Sequence, residues 1–321
     1  MGVTGILHSM FSSENKFEMI PANRTLIIYN SINYFVPYFE GKGFVVSKVF
    51  KDIPFLLKII RKGMFMFKLP LRKIWLRKWQ TQLKAGKFDQ VIFFSTNPIE
   101  GLIYLLPHFS PDKVIYWYWD PLKIGIKPSV MEKYGCKLWT FDKQDAHHYK
   151  INYNTTFYFD NIVLPENKVV FDVLFIGLEK GRTYLINQVK NILEQNHLLP
   201  YFYVVDNDAW KPNYKGEFPK VDYSFYLEKV SQSKAILDIV QENQWGLTLR
   251  PMESIFFEKK LITNNSQISE HDFYDPQNIF IIGEDNWDDL ANFINSPYRK
   301  IDSSIKKKYD ITEWANRFIM N

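Results

Sequence analysis

One cysteine, Cys136, stands in 321 residues, so the chain can close no internal disulfide and suits a reducing compartment. No window holds 18 uninterrupted apolar residues, which argues against a membrane-spanning helix. Met1–Ile20 carries Ser, Glu, Asn and Lys among its apolar positions and lacks the continuous apolar core of a secretory signal. Low-complexity tracts and internal repeats are missing, as are a Walker motif and a Ser-His-Asp arrangement. No RNA-recognition signature or zinc-ligand spacing occurs, so nucleic acid is the last-placed partner and none is expected. Acids are nearly missing from one long stretch. From Lys48 to Lys87 the only one is Asp52, against a series of bases that includes Lys58, Lys62, Lys68, Arg72 and Lys73.

That same stretch is rich in Phe, Leu, Ile, Met and Trp. Bases interleaved with apolar side chains suit an anionic membrane surface. They equally suit a helix pair with a solvated basic face and a buried apolar one. The chain as a whole is 46% hydrophobic and 17% aromatic, enough for two cores, and its length fits two domains of about 150 residues.

The pattern along the chain alternates strand and helix. Buried strands are expected at Thr25–Tyr29, Phe44–Val49, Gln90–Ser95, Lys113–Trp119 and Cys136–Thr140, with Thr156–Phe159 extended. Helices are expected at Pro54–Gly63, Leu71–Ala85, Gly101–Leu106 and Asp142–Tyr149, and an arm or helix over Met1–Asn23. After Asn161–Lys168, where Pro165 interrupts the pattern, strands are expected at Val169–Ile176, Pro200–Val205, Ser233–Val240, Lys259–Asn265 and Ile279–Ile282. Helices alternate with them at Thr183–Gln195, Tyr223–Ser231, Trp287–Asn295 and Thr312–Phe318. The fold class is therefore α/β: two doubly wound Rossmann-like domains, 1–164 and 165–321, facing across a cleft, with the terminal helix free to pack back on the first. Ligands of such folds bind at the carboxyl ends of the strands.

The densest chemistry lies in Ser233–Asn265. An apolar strand runs into a polar turn, Gln241–Gly246. Thr248, Arg250 and Glu253 follow around a proline suited to a first helical turn. Helix-start N–H groups, a Thr hydroxyl and an Arg fork suit a diphosphate. A carboxylate one turn further in can take paired ribose hydroxyls. Together these describe a nucleotide-sugar site.

With these elements placed, the chain resembles bacterial glycosyltransferases of GT-B architecture from lipopolysaccharide, capsule and exopolysaccharide assembly. Three segments carry the likeness: DVLFIGLEKGRTYLI (Asp172–Ile186), GLTLRPME (Gly246–Glu253) with KKLITNN after it, and WTFDKQDAHHY (Trp139–Tyr149). The resemblance implies a nucleoside diphosphate sugar held by the second domain through Gly177, Arg182, Gly246, Thr248, Arg250 and Glu253, with Lys180 a weaker candidate. It implies a glycan or glycolipid acceptor on the first domain. The retaining branch carries two glutamates seven residues apart. Here Gly246 stands where the first would be, which favours inversion. An inverting transfer needs a base, and Asp120 and Asp142 end strands at the correct edge; Asp145 reads more simply as a helix cap.

Asn97 and Glu100 occupy a strand-end loop where they can meet acceptor hydroxyls. Trp117 and Trp119 suit either sugar stacking or core packing, and His147 and His148 read as surface residues. Asp206-Asn207-Asp208 has the spacing of a metal motif but reads as a loop, so neither metal nor cofactor is expected. The expected setting is the cytoplasm, peripheral on the inner face of the membrane. A nucleotide-sugar epimerase and a non-catalytic nucleotide- or glycan-binding protein remain as alternatives.

Overall fold

The computed structural model describes residues 19–29, 33–209, 211, 214–241 and 245–319. The arm expected over Met1–Asn23 falls outside them as far as position 18. Most of the Asn30–Asn33 loop and the middle of the Gln241–Gly246 turn also fall outside.

The first sheet holds β1 (Thr25–Ile28), β2 (Val45–Ser47), β3 (Gln90–Phe94), β4 (Val114–Tyr118), β5 (Lys137–Thr140) and β6 (Asn152–Tyr153) in the order β2-β1-β3-β4-β5-β6. The second holds β7 (Phe171–Leu178), β8 (Pro200–Val205), β9 (Ser233–Asp238), β10 (Lys260–Thr263) and β11 (Ile279–Ile281) in the order β11-β10-β9-β7-β8. Neighbours in both sheets are parallel. Counted from its own first strand, each domain reads 2-1-3-4-5, and β6 extends the first. The chain is thus α/β, with two doubly wound domains that place the switch between β1 and β3 in one and between β7 and β9 in the other.

Strand residues alternate between two apolar layers, as the period of two requires. Leu26, Ile28, Val91 and Phe93 face an outer core, and Val173, Phe175, Ala235 and Leu237 face another. Ile27, Ile92, Ile115 and Trp117 join Leu174, Ile176 and Ile236 in a single central core that spans both domains. The two halves therefore share buried surface as well as a cleft.

Aromatic residues in the closing segment complete that core. The helix Ile311–Asn316 lies on the first sheet: the Trp314 ring meets Trp117 at 5.0 Å and Phe157 at 4.4 Å, and its Nε1 donates to Thr155 O at 2.8 Å. Tyr158 N donates to Tyr309 O at 2.8 Å and Ile311 N to Tyr158 O at 2.9 Å, so Thr156–Phe159 is extended and bridged to the C-terminus.

One expected helix is broken. Over Leu71–Ala85 the structure has a 3-10 turn, Arg72–Trp75, and a short helix, Trp79–Lys84. Between them the chain is drawn out against Val49–Lys51: Lys51 N donates to Trp75 O, Arg77 N to Val49 O, and Trp79 Nε1 to Val49 O at 3.0 Å. Burying Leu76 and Trp79 against that strip outweighs local helix preference. The helix Phe55–Met66 matches the expectation and runs three residues longer.

Candidate active site

The carboxyl ends of both sheets meet around a cavity of about 300 Å³. From the second domain come Leu178 at the end of β7, Lys180 and Arg182 after it, Ile239–Gln241 after β9, and Leu247–Arg250 at the start of the helix Leu249–Phe257. The first domain supplies Trp117 near the end of β4, Trp119, Asp120, Lys123 and Ile124 after it, Phe141 after β5, and Thr156. The second-domain wall is thus the crevice at the β7/β9 switch point.

Three cations crowd this wall. Arg250 donates through Nη2 to Ile176 O, and its Nη1 stands 3.8 Å from Asp238 Oδ1. Arg182 donates through Nη1 to Ile239 O, through Nη2 to Leu178 O and through Nε to Glu179 O at 3.3 Å. Both guanidinium groups lie 5.6 Å from the Phe175 ring. Gly177 makes room for them, since a Cβ there would stand 2.8 Å from Arg250 Nη2. Burial and the neighbouring Arg250 pull the Arg182 pKa down to about 10, so the pair strains against a shared positive charge.

Lys180 reaches the cavity from a strained turn, with φ of 45° at Lys180 and 75° at Gly181. Only Gly adopts this region freely. The turn is tied down by Glu179, which accepts from Gly181 N at 3.0 Å and from Asn207 Nδ2 at 2.8 Å, while Asn207 Oδ1 accepts from Lys180 N at 3.2 Å. Hydrogen bonds from Gly181 N first, then the Thr183 hydroxyl and Asn207, hold the Glu179 pKa at about 2. The Asp206-Asn207-Asp208 stretch is therefore engaged as a loop: Asp206 accepts from Tyr214, and Asp208 pairs with Lys211 at 2.7 Å.

Thr248 caps the helix Leu249–Phe257, accepting from Arg250 N at 3.2 Å and donating to Asp238 Oδ1 at 3.0 Å. Asp238, 1% exposed at the end of β9, is the residue that sequence reasoning missed. It anchors both Thr248 and Arg250. Its signal was available: a lone carboxylate closing an apolar strand at the ligand edge of the sheet. Asp238 Oδ2 and Arg250 Nε have no hydrogen-bond partner among the described residues. Burial raises the Asp238 pKa against the pull of Arg250.

Across the cleft, Asp120 is the carboxylate on the first-domain wall. Its side chain stays open to solvent at the rim. The surrounding walls still raise its pKa by desolvation, and Lys180 opposes them. Trp119 forms a half-buried aromatic wall beside it, packed on Phe94 at 5.4 Å and Phe157 at 5.5 Å. Trp117 is a buried core residue that also contributes to the lining.

Six sequence-based expectations change. Glu253 does not line the cavity. It is 3% exposed, and Tyr226, Tyr223 at 3.3 Å and Tyr158 at 3.5 Å donate to its carboxylate, so its oxygens are committed inside the protein. Asp142 is no base. Its Oδ1 caps its own helix through Gln144 N and Asp145 N, and its Oδ2 accepts from Trp245 N at 3.1 Å and Gly246 N at 2.8 Å of the other domain. Asp145 in turn accepts from Leu122 N at 2.9 Å and does not cap the helix. Gly246 is needed for close approach, but to protein: a Cβ there would lie 2.4 Å from the Phe141 ring.

Asn97 and Glu100 also lie away from the cavity. Asn97 Nδ2 donates to Ile28 O and Phe94 O, both at 2.7 Å, tying β1 to β3, and Glu100 opens the helix Glu100–Leu105. His147 and His148 are exposed. The cavity thus combines Lys180, Arg182, Thr248 and Arg250 on one side with Asp120 on the other, and Gly177 lies behind the two arginines. Chemically, it presents several cations to a polyanion and one carboxylate to whatever the polyanion carries.

No protein-family profile matches the chain, and no curated protein does. Among solved structures it is similar to an alpha-glucosyltransferase in complex with UDP and a 13-mer DNA containing a central A:G mismatch, with a TM-score of 0.46 and 10% identity over 92% of each chain.

Proposed function

We propose that this protein is a glycosyltransferase that moves a sugar from a nucleoside diphosphate sugar to a lipid-linked or oligosaccharide acceptor. The observation that carries the reading is the cavity itself. Lys180, Arg182 and Arg250 converge at the β7/β9 crevice, and Asp120 faces them from the other domain. The donor diphosphate lies against the three cations. The acceptor hydroxyl enters from the Trp119 and Asp120 side.

In the reaction the acceptor oxygen attacks the anomeric carbon, and its new C–O bond forms as the bond to the β-phosphate oxygen breaks. Asp120 takes the hydroxyl proton. The electron pair leaving with the diphosphate is met by Lys180, Arg182 and Arg250, which supply the charge stabilisation without a metal ion. Attack opposite the leaving group inverts the anomeric centre. Surface polysaccharide assembly, on lipopolysaccharide, capsule or exopolysaccharide precursors, is the setting of this reading, with the enzyme at the inner face of the cytoplasmic membrane.

Calorimetric titration with nucleoside diphosphates tests donor binding. The native chain binds one of them, and Arg250→Ala weakens it by about ten- to a hundredfold, the loss expected of a charged hydrogen bond. Nucleotide release from a panel of donors, stimulated by lipid-linked acceptor and unaffected by chelator, completes the test. Sugar isomerisation without acceptor, or no diphosphate binding at all, would overturn the reading.

A further inference from the structure

The helix Phe55–Met66 is held to the first domain by one face only. Trp75 Nε1 donates to Met64 Sδ at 3.1 Å, and the Phe65 ring meets Phe50 at 5.2 Å and Tyr104 at 5.7 Å. The other face carries large apolar side chains in the open. Phe55, Ile59 and Met66 follow one row of the helix, 54–73% exposed, and Leu56 and Ile60 the next, 72% and 53% exposed. Gly63 lies between the rows with nothing near its Cβ position.

The stripe continues past the helix. Phe67, Leu69 and Leu71 are 69%, 44% and 74% exposed around a turn in which Lys68 and Leu71 both adopt positive φ, 49° and 64°. A leucine held in the left-handed region with its side chain in water is costly on two counts. Such a turn is built to present that side chain outward.

Charge decides what covers this face. Every charged residue between Ile53 and Phe88 is a base. Lys58 and Lys62 flank the apolar stripe on the helix, and Lys68 and Lys73 flank it at the turn. None of the four has an acidic partner within salt-bridge distance among the described residues. A second copy of this chain would set the same bases against each other. A bilayer with acidic headgroups takes both features at once, accepting the side chains below the headgroups and the ammonium groups at their level.

We propose that this face, from Phe55 through Leu71, docks on an anionic lipid bilayer. The proposal stands on the surface alone, since vesicle binding requires no nucleotide and no chemistry in the cleft. The test is flotation of the full chain with vesicles of equal parts phosphatidylcholine and phosphatidylglycerol, and with phosphatidylcholine alone. The native chain floats with the acidic vesicles and far less with the neutral ones, and added salt weakens the binding. Leu56→Ser with Ile60→Ser lowers the partition coefficient at least about tenfold. Lys58→Ala with Lys62→Ala lowers it about twenty-fivefold, at about fivefold per base, and flattens the salt dependence. These side chains are exposed, so both double variants keep the native melting temperature and nucleotide affinity. Absence of native binding to acidic vesicles overturns the proposal. So does full binding by the Leu56/Ile60 variant, or a lipid-free native dimer that this variant dissociates.

Discussion

Replacing Glu253 with Gln isolates one buried charge. Its carboxyl is enclosed by Tyr158, Tyr223 and Tyr226, with Arg250 and Asp238 also acting on it. Burial raises its pKa from 4.5 to about 7, against the Tyr226 hydrogen bond and Arg250, which pull it down. The folded chain therefore keeps a proton that the unfolded chain has released. Stability from this group is fully present below about pH 4.5 and is lost as the pH rises towards 7. At about 1.4 kcal/mol per pH unit, the loss across that window is ~3 kcal/mol. Gln fills the same space, accepts through its amide oxygen, and does not titrate. The tyrosine hydroxyl that faces the amide nitrogen can rotate to accept.

The measurement is the difference in unfolding free energy between Glu253→Gln and the native chain, from denaturant titrations at a series of pH values. The difference cancels titrating groups that do not interact with Glu253, among them His271, whose pKa is lowered to about 4 by burial and whose effect runs the opposite way. The expected curve climbs by ~3 kcal/mol between pH 4.5 and about 7 in favour of Gln, then levels. A flat curve would refute the burial reasoning. A curve of opposite slope would show that Arg250 holds the carboxylate ionised.

Asp120→Asn should lower turnover by about 10²–10⁴ while leaving nucleoside diphosphate affinity within a few-fold, measured as kcat against Kd. Gly177→Ala should displace the Arg250 guanidinium, because its Cβ would lie 2.8 Å from Nη2; diphosphate affinity falls about tenfold with little change in melting temperature. Gly246→Ala should act in the other direction. Its Cβ meets the Phe141 ring at 2.4 Å and the Phe141 carbonyl at 3.1 Å, so the domain contact opens and stability drops by about 1–3 kcal/mol in thermal unfolding. Asp142→Ala removes acceptors from Gln144, Asp145, Trp245 and Gly246 together, and should cost more than a lone helix cap, about 2 kcal/mol or above.

The elements were largely legible because apolar runs and helix periods are local. Thr183–Gln195, Tyr223–Ser231 and Pro200–Val205 fall where the pattern places them. Leu71–Ala85 misled because its break depends on pairing with Val49–Lys51, far away in sequence. The cations of the site were legible as residue types at the ends of β7 and β9. The carboxylates were not. Glu253, Asp142 and Asp120 look alike in sequence, each near a strand end or an early helical turn.

Composition, periodicity and the order of strands and helices were enough to specify two parallel-sheet domains and the ligand edge of each. Side-chain types placed Arg182, Thr248 and Arg250 on that edge, because they follow directly from which strand ends where. Assembly of the two halves assigned the acids. Packing Tyr158 and Tyr223 over Glu253 withdrew it from the cleft, and the approach of Gly246 to Phe141 turned Asp142 into a bond between domains. Asp120 was left at the rim. A carboxylate's role depends on what desolvates it and what donates to it, and here those groups come from distant parts of the chain.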